Sequence, residues 1–115
     1  MSNVRELHNQ AIAYAQQAMR EAHLQNEHKR VRLVSEAMKY ETQSAELLPA
    51  EKSAEPTRSI LYRSAASFAY QAGNLQEAEQ LIVKGLSGYP TPTTKAQLLD
   101  VQSLIHDAMN LEESE

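Results

Sequence analysis

Between Tyr62 and Pro90, small, apolar and glycine residues recur at offsets that two antiparallel helices joined by a tight turn satisfy. Tyr62, Ala65, Ala66 and Ala69 line one helix, and Gly73 breaks it. Leu75, Ala78, Ile82, Gly85 and Leu86 line the next, and Pro90 ends the unit. The small residues Ala65, Ala69 and Ala78 permit close helix approach, and Leu75, Leu81 and Leu86 seal the seam. One such hairpin cannot hide its apolar face alone and needs neighbours on both sides.

The rest of the chain supplies helices for that purpose. The 115 residues suffice for one domain and not for two. Only three glycines and four prolines interrupt them, and Ala, Leu, Glu and Gln dominate, which favours helix. The first helix is predicted from about Val4 to His23, with Leu7, Ala11, Tyr14 or Ala15, and Ala18 on its apolar stripe. The second runs from about Glu27 to Leu48 on Val31, Val34, Ala37 or Met38, Glu41, Ala45 and Leu48, and Pro49 stops it. After a polar linker, Ser53 or Thr57 caps a third helix carrying Ile60, Leu61, Ala65, Phe68, Ala69 and Ala72. Gly73 closes it, and Asn74 with Glu77 three residues on forms a capping box for the fourth. Thr91 and Pro92 start the fifth, whose apolar face is given by Leu98 or Leu99, Val101 or Gln102, Ile105 and Met109; a frayed tail is expected from Glu112.

The segment from about Ser59 to Pro92 resembles one tetratricopeptide repeat, a helix-turn-helix unit of 34 residues. Gly73, Leu75, Ala78, Ile82, Gly85, Leu86 and Pro90 occupy the pattern's positions, whereas Tyr62, Ala65, Ala66 and Ala69 replace the usual tryptophan, leucine, glycine and tyrosine. Helices one and two resemble a longer, degenerate relative of the hairpin that lacks the turn glycine. Their alanine spacing is also similar to that of three-helix domains in microtubule-interacting and trafficking proteins. The whole chain resembles small uncharacterised bacterial, notably cyanobacterial, proteins that share the type of segment found at Thr57 to Ala66. The resemblance implies an all-α fold of about five antiparallel helices in a single domain: a long N-terminal hairpin over 3–49, a tetratricopeptide-like hairpin over 57–90, and a capping helix over 92–110. It implies an inner surface on helices one, three and five that holds a protein or peptide.

Some polar residues fall inside the apolar pattern. Glu41 lies on the stripe of helix two, and the leading expectation is a structural ion pair with Arg58 or Arg63, so that Arg63→Ala destabilises the fold. The other readings are a rotated helix that leaves Glu41 near the surface, and a polar floor in a ligand groove. Tyr62, Arg63 and Tyr70 on helix three are the candidate groove residues, the alternative being that one tyrosine packs in the core and the other reaches the surface. Tyr40 and Tyr89 read as packing residues at helix ends.

Other chemistry finds little footing. With no cysteine, disulfides, thiolate metal sites and cysteine nucleophiles are excluded together. His8, His23, His28 and His106 form no metal-ligand motif, and no Glu-x-x-His pair suggests a diiron bundle. Ser59 and Ser64 are ordinary helix or cap serines, and Gly85-x-x-Gly88 lacks the preceding strand of a phosphate loop. No apolar run approaches the roughly 20 residues that span a bilayer, and no signal peptide is seen, so a cytoplasmic location and no membrane partner are expected. The small Lys29-Arg30-Arg32 patch reads as a solvated face, the alternative being a contact edge for an acidic partner or RNA, and the net charge of -4 argues against nucleic acid as the main target. The expected function is therefore protein–protein interaction by an adaptor or accessory subunit, without cofactor, metal or catalysis. The alternatives are a structural homodimer, an unrecognised enzyme and a small RNA-binding helical module.

Overall fold

The computed structural model describes residues 3–114 and, among them, contains helices and turns but no strand. Five helices follow one another: α1 Val4–His23, α2 Glu27–Glu46, α3 Thr57–Gln71, α4 Leu75–Leu86 and α5 Pro92–Ser114, with a single 3-10 turn at Lys52–Ala54 before α3. The all-α expectation holds, and most helix ends fall where the caps and breakers placed them. At the end of α2, Leu47 and Leu48 donate to the carbonyls of Ser44 and Ala45, so the chain tightens before Pro49 instead of continuing to Leu48. At the other end of the chain, α5 runs past the expected fraying point to Ser114.

Each helix packs chiefly on the next: α1 on α2, α2 on α3, α3 on α4 and α4 on α5, while α5 also touches α3. The result is a slab measuring 41 × 37 × 20 Å. A helix with its side chains is about 10–12 Å wide, so the short dimension holds two layers. Helices α1 and α3 both pack on α2, and α3 and α5 both pack on α4.

The main core lies between α3, α4 and α5, with Ala45 of α2 added. Leu81, Ile82, Leu98 and Ile105 are fully buried there, each contributing about 1.5–3 kcal/mol relative to exposure. Ala65, Ala66, Ala69 and Ala78 are likewise inaccessible and let the helices close up. A Cβ on Gly85 would lie 3.0 Å from Leu98 and 3.2 Å from Tyr62, so this glycine marks a close crossing. A smaller cluster of Ala18, Leu33 and Val34, flanked by Tyr14, Phe68 and Ala72, joins the first hairpin to α3.

Both hairpin turns use the same backbone bonds. After α3, Gly73 N–H donates to Tyr70 and Asn74 N–H to Ala69; after α1, Gln25 N–H donates to Ala22 and Asn26 N–H to Glu21. Each is a Schellman closure with a left-handed residue, Gly73 at φ 81° and Gln25 at φ 57°. The Asn74 side chain then caps α4 by accepting from Glu77 N–H at 3.3 Å. The reciprocal half of the expected box is not used, because the Asn74 N–H already serves the Schellman closure. Thr91 Oγ1 accepts from Thr94 N–H at 3.2 Å and caps α5 as its sequence position suggests.

The start of α3 departs from expectation. Neither Ser53 nor Thr57 caps it; Glu55 does, its carboxylate accepting from Ser59 N–H at 2.9 Å and from the Ser59 hydroxyl at 2.7 Å. The same carboxylate accepts from Tyr89 N–H at 3.0 Å, tying the α2–α3 linker to the α4–α5 turn.

Candidate functional site

The structure separates the residues expected to form one groove. Tyr62 is buried in the main core, where the Arg58 guanidinium lies 4.9 Å from its ring centre, so it lines no groove. Tyr70 is half-buried and packs on the edge of the same core. Arg63 is half-exposed and hydrogen-bonds Gln97 of α5, beside a shallow depression shared with Ser67, Asp100 and Val101. Tyr40 stacks on Tyr14 with ring centres 5.6 Å apart, while Tyr89 is exposed with the Lys52 ammonium 5.7 Å from its ring.

The expected ion pair is also corrected. Glu41 is fully buried, but its partner is His8 of α1, whose Nδ1 lies 2.8 Å from Oε1. The α2 stripe that carries Glu41 is shared between α1 and α3, and at Glu41 it meets α1. Arg58 instead reaches along α3 to α4, where Nη1 donates to the Lys84 carbonyl near the helix C-terminus, at 3.3 Å. A Cβ on Gly88 would fall 2.4 Å from that same nitrogen, so Gly88 leaves the space the guanidinium fills. Glu41 Oε2 and Arg58 Nε are buried without a hydrogen-bond partner. Burial raises the carboxyl pKa of Glu41, and the His8 contact offsets this in part.

A groove that sequence reasoning did not delimit runs between α1 and α3. Ala15, Ala18, Met19 and Ala22 form one wall, Phe68 the other, and Val34 of α2 the floor, around a space of about 290 Å³. Arg30 closes one end, donating at 3.2 Å to the carbonyl of Gln71 and at 2.6 and 2.8 Å to Glu27. That bond draws the Glu27 carboxyl below its ordinary range and raises the Arg30 pKa. His8, Ile12, Ala15, Met19 and Ala22 recur along α1 at intervals of three and four, so a second, largely apolar stripe stands beside the one that packs on α2. Met19 is 65% exposed. The signal was present in the sequence as this second stripe, hidden because Ile12 and Met19 did not fit the first.

Charge is distributed unevenly around the groove. Helix α3 contains no Asp or Glu at all, although the chain carries a net charge of -4. On α1 the two carboxylates lie off the groove stripe: Glu6 accepts from the side-chain amide of Asn3, the N-cap residue, and Glu21 pairs with Lys29 at 3.2 Å. The side chains that line the groove are neutral apart from Arg30, and that guanidinium is paired with the Glu27 carboxylate.

Among the described residues, no group of three or more His, Asp or Glu side chains is placed to hold a metal ion, and no helix is long and apolar enough to cross a membrane. Compared with known proteins, the chain matches no family model, no curated sequence and no solved structure.

Proposed function

We propose that this chain is a small helical adaptor that binds another protein through the face formed by α1, α3 and α5. In this reading, α3 and α4 act as a tetratricopeptide-like hairpin and α5 as its closing helix. The partner segment is an acidic amphipathic helix that seats an apolar side chain between Met19, Val34 and Phe68. The observation that carries the reading is the open α1–α3 groove, apolar within and lined by no carboxylate, with the Arg30–Glu27 pair at one end. Helix-in-groove recognition needs that combination of an apolar trough and charge complementarity. Arg63, on the same face, contributes at the margin, and Tyr70 supports it from the core edge.

The reading is tested with fluorescently labelled peptides. An acidic amphipathic helix is expected to raise its anisotropy on titration with the chain, and a version with its carboxylates replaced by lysines is expected not to. Met19→Glu should abolish the binding while circular dichroism and melting remain those of the wild type. Equal binding of both peptides, or of neither, overturns the proposal.

A further inference from the structure

Glu41 has no exposed surface, and the seam that hides it supplies little in return. Its Oε1 lies 2.8 Å from His8 Nδ1, so one hydrogen is shared there, while Oε2 is buried with no partner. Among the described residues, His8 is the only titratable group bonded to it. The other charged groups on the neighbouring helices are engaged elsewhere. On α3, Arg58 is drawn to the Lys84 carbonyl and Arg63 to Gln97, while Tyr62 lies under Arg58 and Tyr70 packs at the edge of the main core. On α1, Glu6 holds the Asn3 amide, Tyr14 stacks on Tyr40, Glu21 pairs with Lys29, and Arg5, Arg20 and His23 are exposed. On α2 itself, Lys39 turns to Glu36. A buried carboxylate with a single donor is costlier than the same group protonated, whereas water favours the ionised form.

His8 belongs to the N-terminal half of α1, and that half is lightly held. It buries Leu7 and Ala11, and the Ser44 hydroxyl donates to its Val4 carbonyl at 2.8 Å. The C-terminal half is anchored separately, by Ala18 in the cluster with Leu33 and Val34 and by the Glu21–Lys29 pair. The main core lies beyond both, between α3, α4 and α5. The His8 ring is 40% exposed, so the shared hydrogen sits one imidazole away from water. We infer that the N-terminal half of α1 is a proton-held latch: closed over Glu41, it keeps a proton on the His8–Glu41 pair that the open form gives up to water. Opening hydrates the carboxylate and leaves the C-terminal half of α1, with its groove wall, in place. The inference therefore does not depend on what the groove holds. Its sign follows from burial, which raises the Glu41 carboxyl above 4.5. Below 4.5 both forms hold the proton; above it the open form alone releases it, until pH passes the raised value.

Native-state hydrogen exchange of the full chain, read by mass spectrometry on proteolytic fragments between pH 4.5 and neutrality, tests this. Rates are corrected for the intrinsic pH dependence of amide exchange. The opening constant of the N-terminal half of α1 is expected to rise with pH, approaching about tenfold per pH unit, the limit for one released proton. The C-terminal half of α1, and α3 and α4, should stay flat in the same samples. Glu41→Gln keeps the shape of the side chain and cannot ionise, so it should flatten the profile of the N-terminal half as well. A wild-type profile that is flat there overturns the inference, because a merely structural hydrogen bond gives that result. A slope that persists in Glu41→Gln overturns it too, as does an equal rise in α3 and α4, which would mark global unfolding. Should Glu41→Gln fail to fold, the contrast between the two halves of α1 in the wild type still decides.

Discussion

At Gly73-Asn74 and at Gln25-Asn26 the chain ends a helix with the same pair of backbone bonds, yet the two turns are made differently. The second hairpin places glycine at the left-handed position and caps the following helix with Asn74. The first puts glutamine at that position, and Asn26 makes no side-chain cap bond. The same contrast extends into the interiors. Around α3, α4 and α5 the buried residues are largely alanine, leucine and isoleucine. Along the α1–α2 seam, Glu41 and Ser44 are fully buried, with His8 and the Val4 carbonyl as their partners. Where local signals and apolar packing agree, the hairpin is specified twice. Where the turn is strained and the seam polar, the hairpin depends on contacts made with its neighbour.

The largest effect is expected in the well-specified half. Ile82→Ala should lower stability by about 2–5 kcal/mol in urea unfolding. Leu33→Ala, in the smaller cluster of the first hairpin, should cost clearly less and raise amide exchange mainly in α1. Equal losses, with exchange spread evenly, would remove the distinction between the halves. Next come the buried arginine and its glycine. Arg58→Ala or Gly88→Ala should each cost about 1–3 kcal/mol, the latter because a methyl group enters the space of Nη1. Arg63→Ala should stay within about 0.5 kcal/mol, since its guanidinium is half-exposed. A comparable drop in melting temperature for Arg63→Ala would restore the structural role expected of it from the sequence.

The turns give a smaller, two-sided test. Gly73→Ala should destabilise by about 1 kcal/mol, and Gln25→Gly should stabilise by a fraction of that, because only the first turn now carries the left-handed penalty. Both changes in the same direction would sink the comparison. The smallest effect concerns pH. Burial raises the Glu41 carboxyl above its ordinary 4.5, so the native state holds this proton more tightly than the unfolded chain. Its contribution to stability is present below 4.5 and is lost as pH rises through the elevated value. Between pH 4.5 and about 6, below the ordinary histidine range, Glu41→Gln should lose less stability than the wild type. Parallel denaturation profiles would contradict this.

The helices were legible because their signals are local. Gly73, Asn74, Thr91 and Pro92 each act within one turn of the backbone, and the alanine spacing sets which face turns inward. The partners of buried charges were not legible. Glu41 was expected against Arg58 or Arg63 of α3 and meets His8 of α1 instead, because helical register alone does not say whether it leans toward α1 or α3. The choice is made by tertiary packing, which puts His8 opposite Glu41 and the Lys84 backbone carbonyl opposite Arg58. Tyr62 was misplaced for a related reason. Its phenol sits under Arg58 in the core, a pairing that composition reads equally well as a surface site. The cap from Glu55 was missed because it acts from a linker across to Ser59 and Tyr89, and a carboxylate there looks solvated in one dimension.

The polar seam between α1 and α2 also acts as a vernier. His8 meets Glu41 near one point, and the Ser44 hydroxyl donates to the Val4 carbonyl at 2.8 Å about one turn away. Alanines and leucines alone would let two such helices slide past each other by a turn, about 5.4 Å, at little loss of burial. Here that slip strips the partner from a carboxylate with no access to water, so among the alignments open to α1, this one is singled out by charge and not by grease.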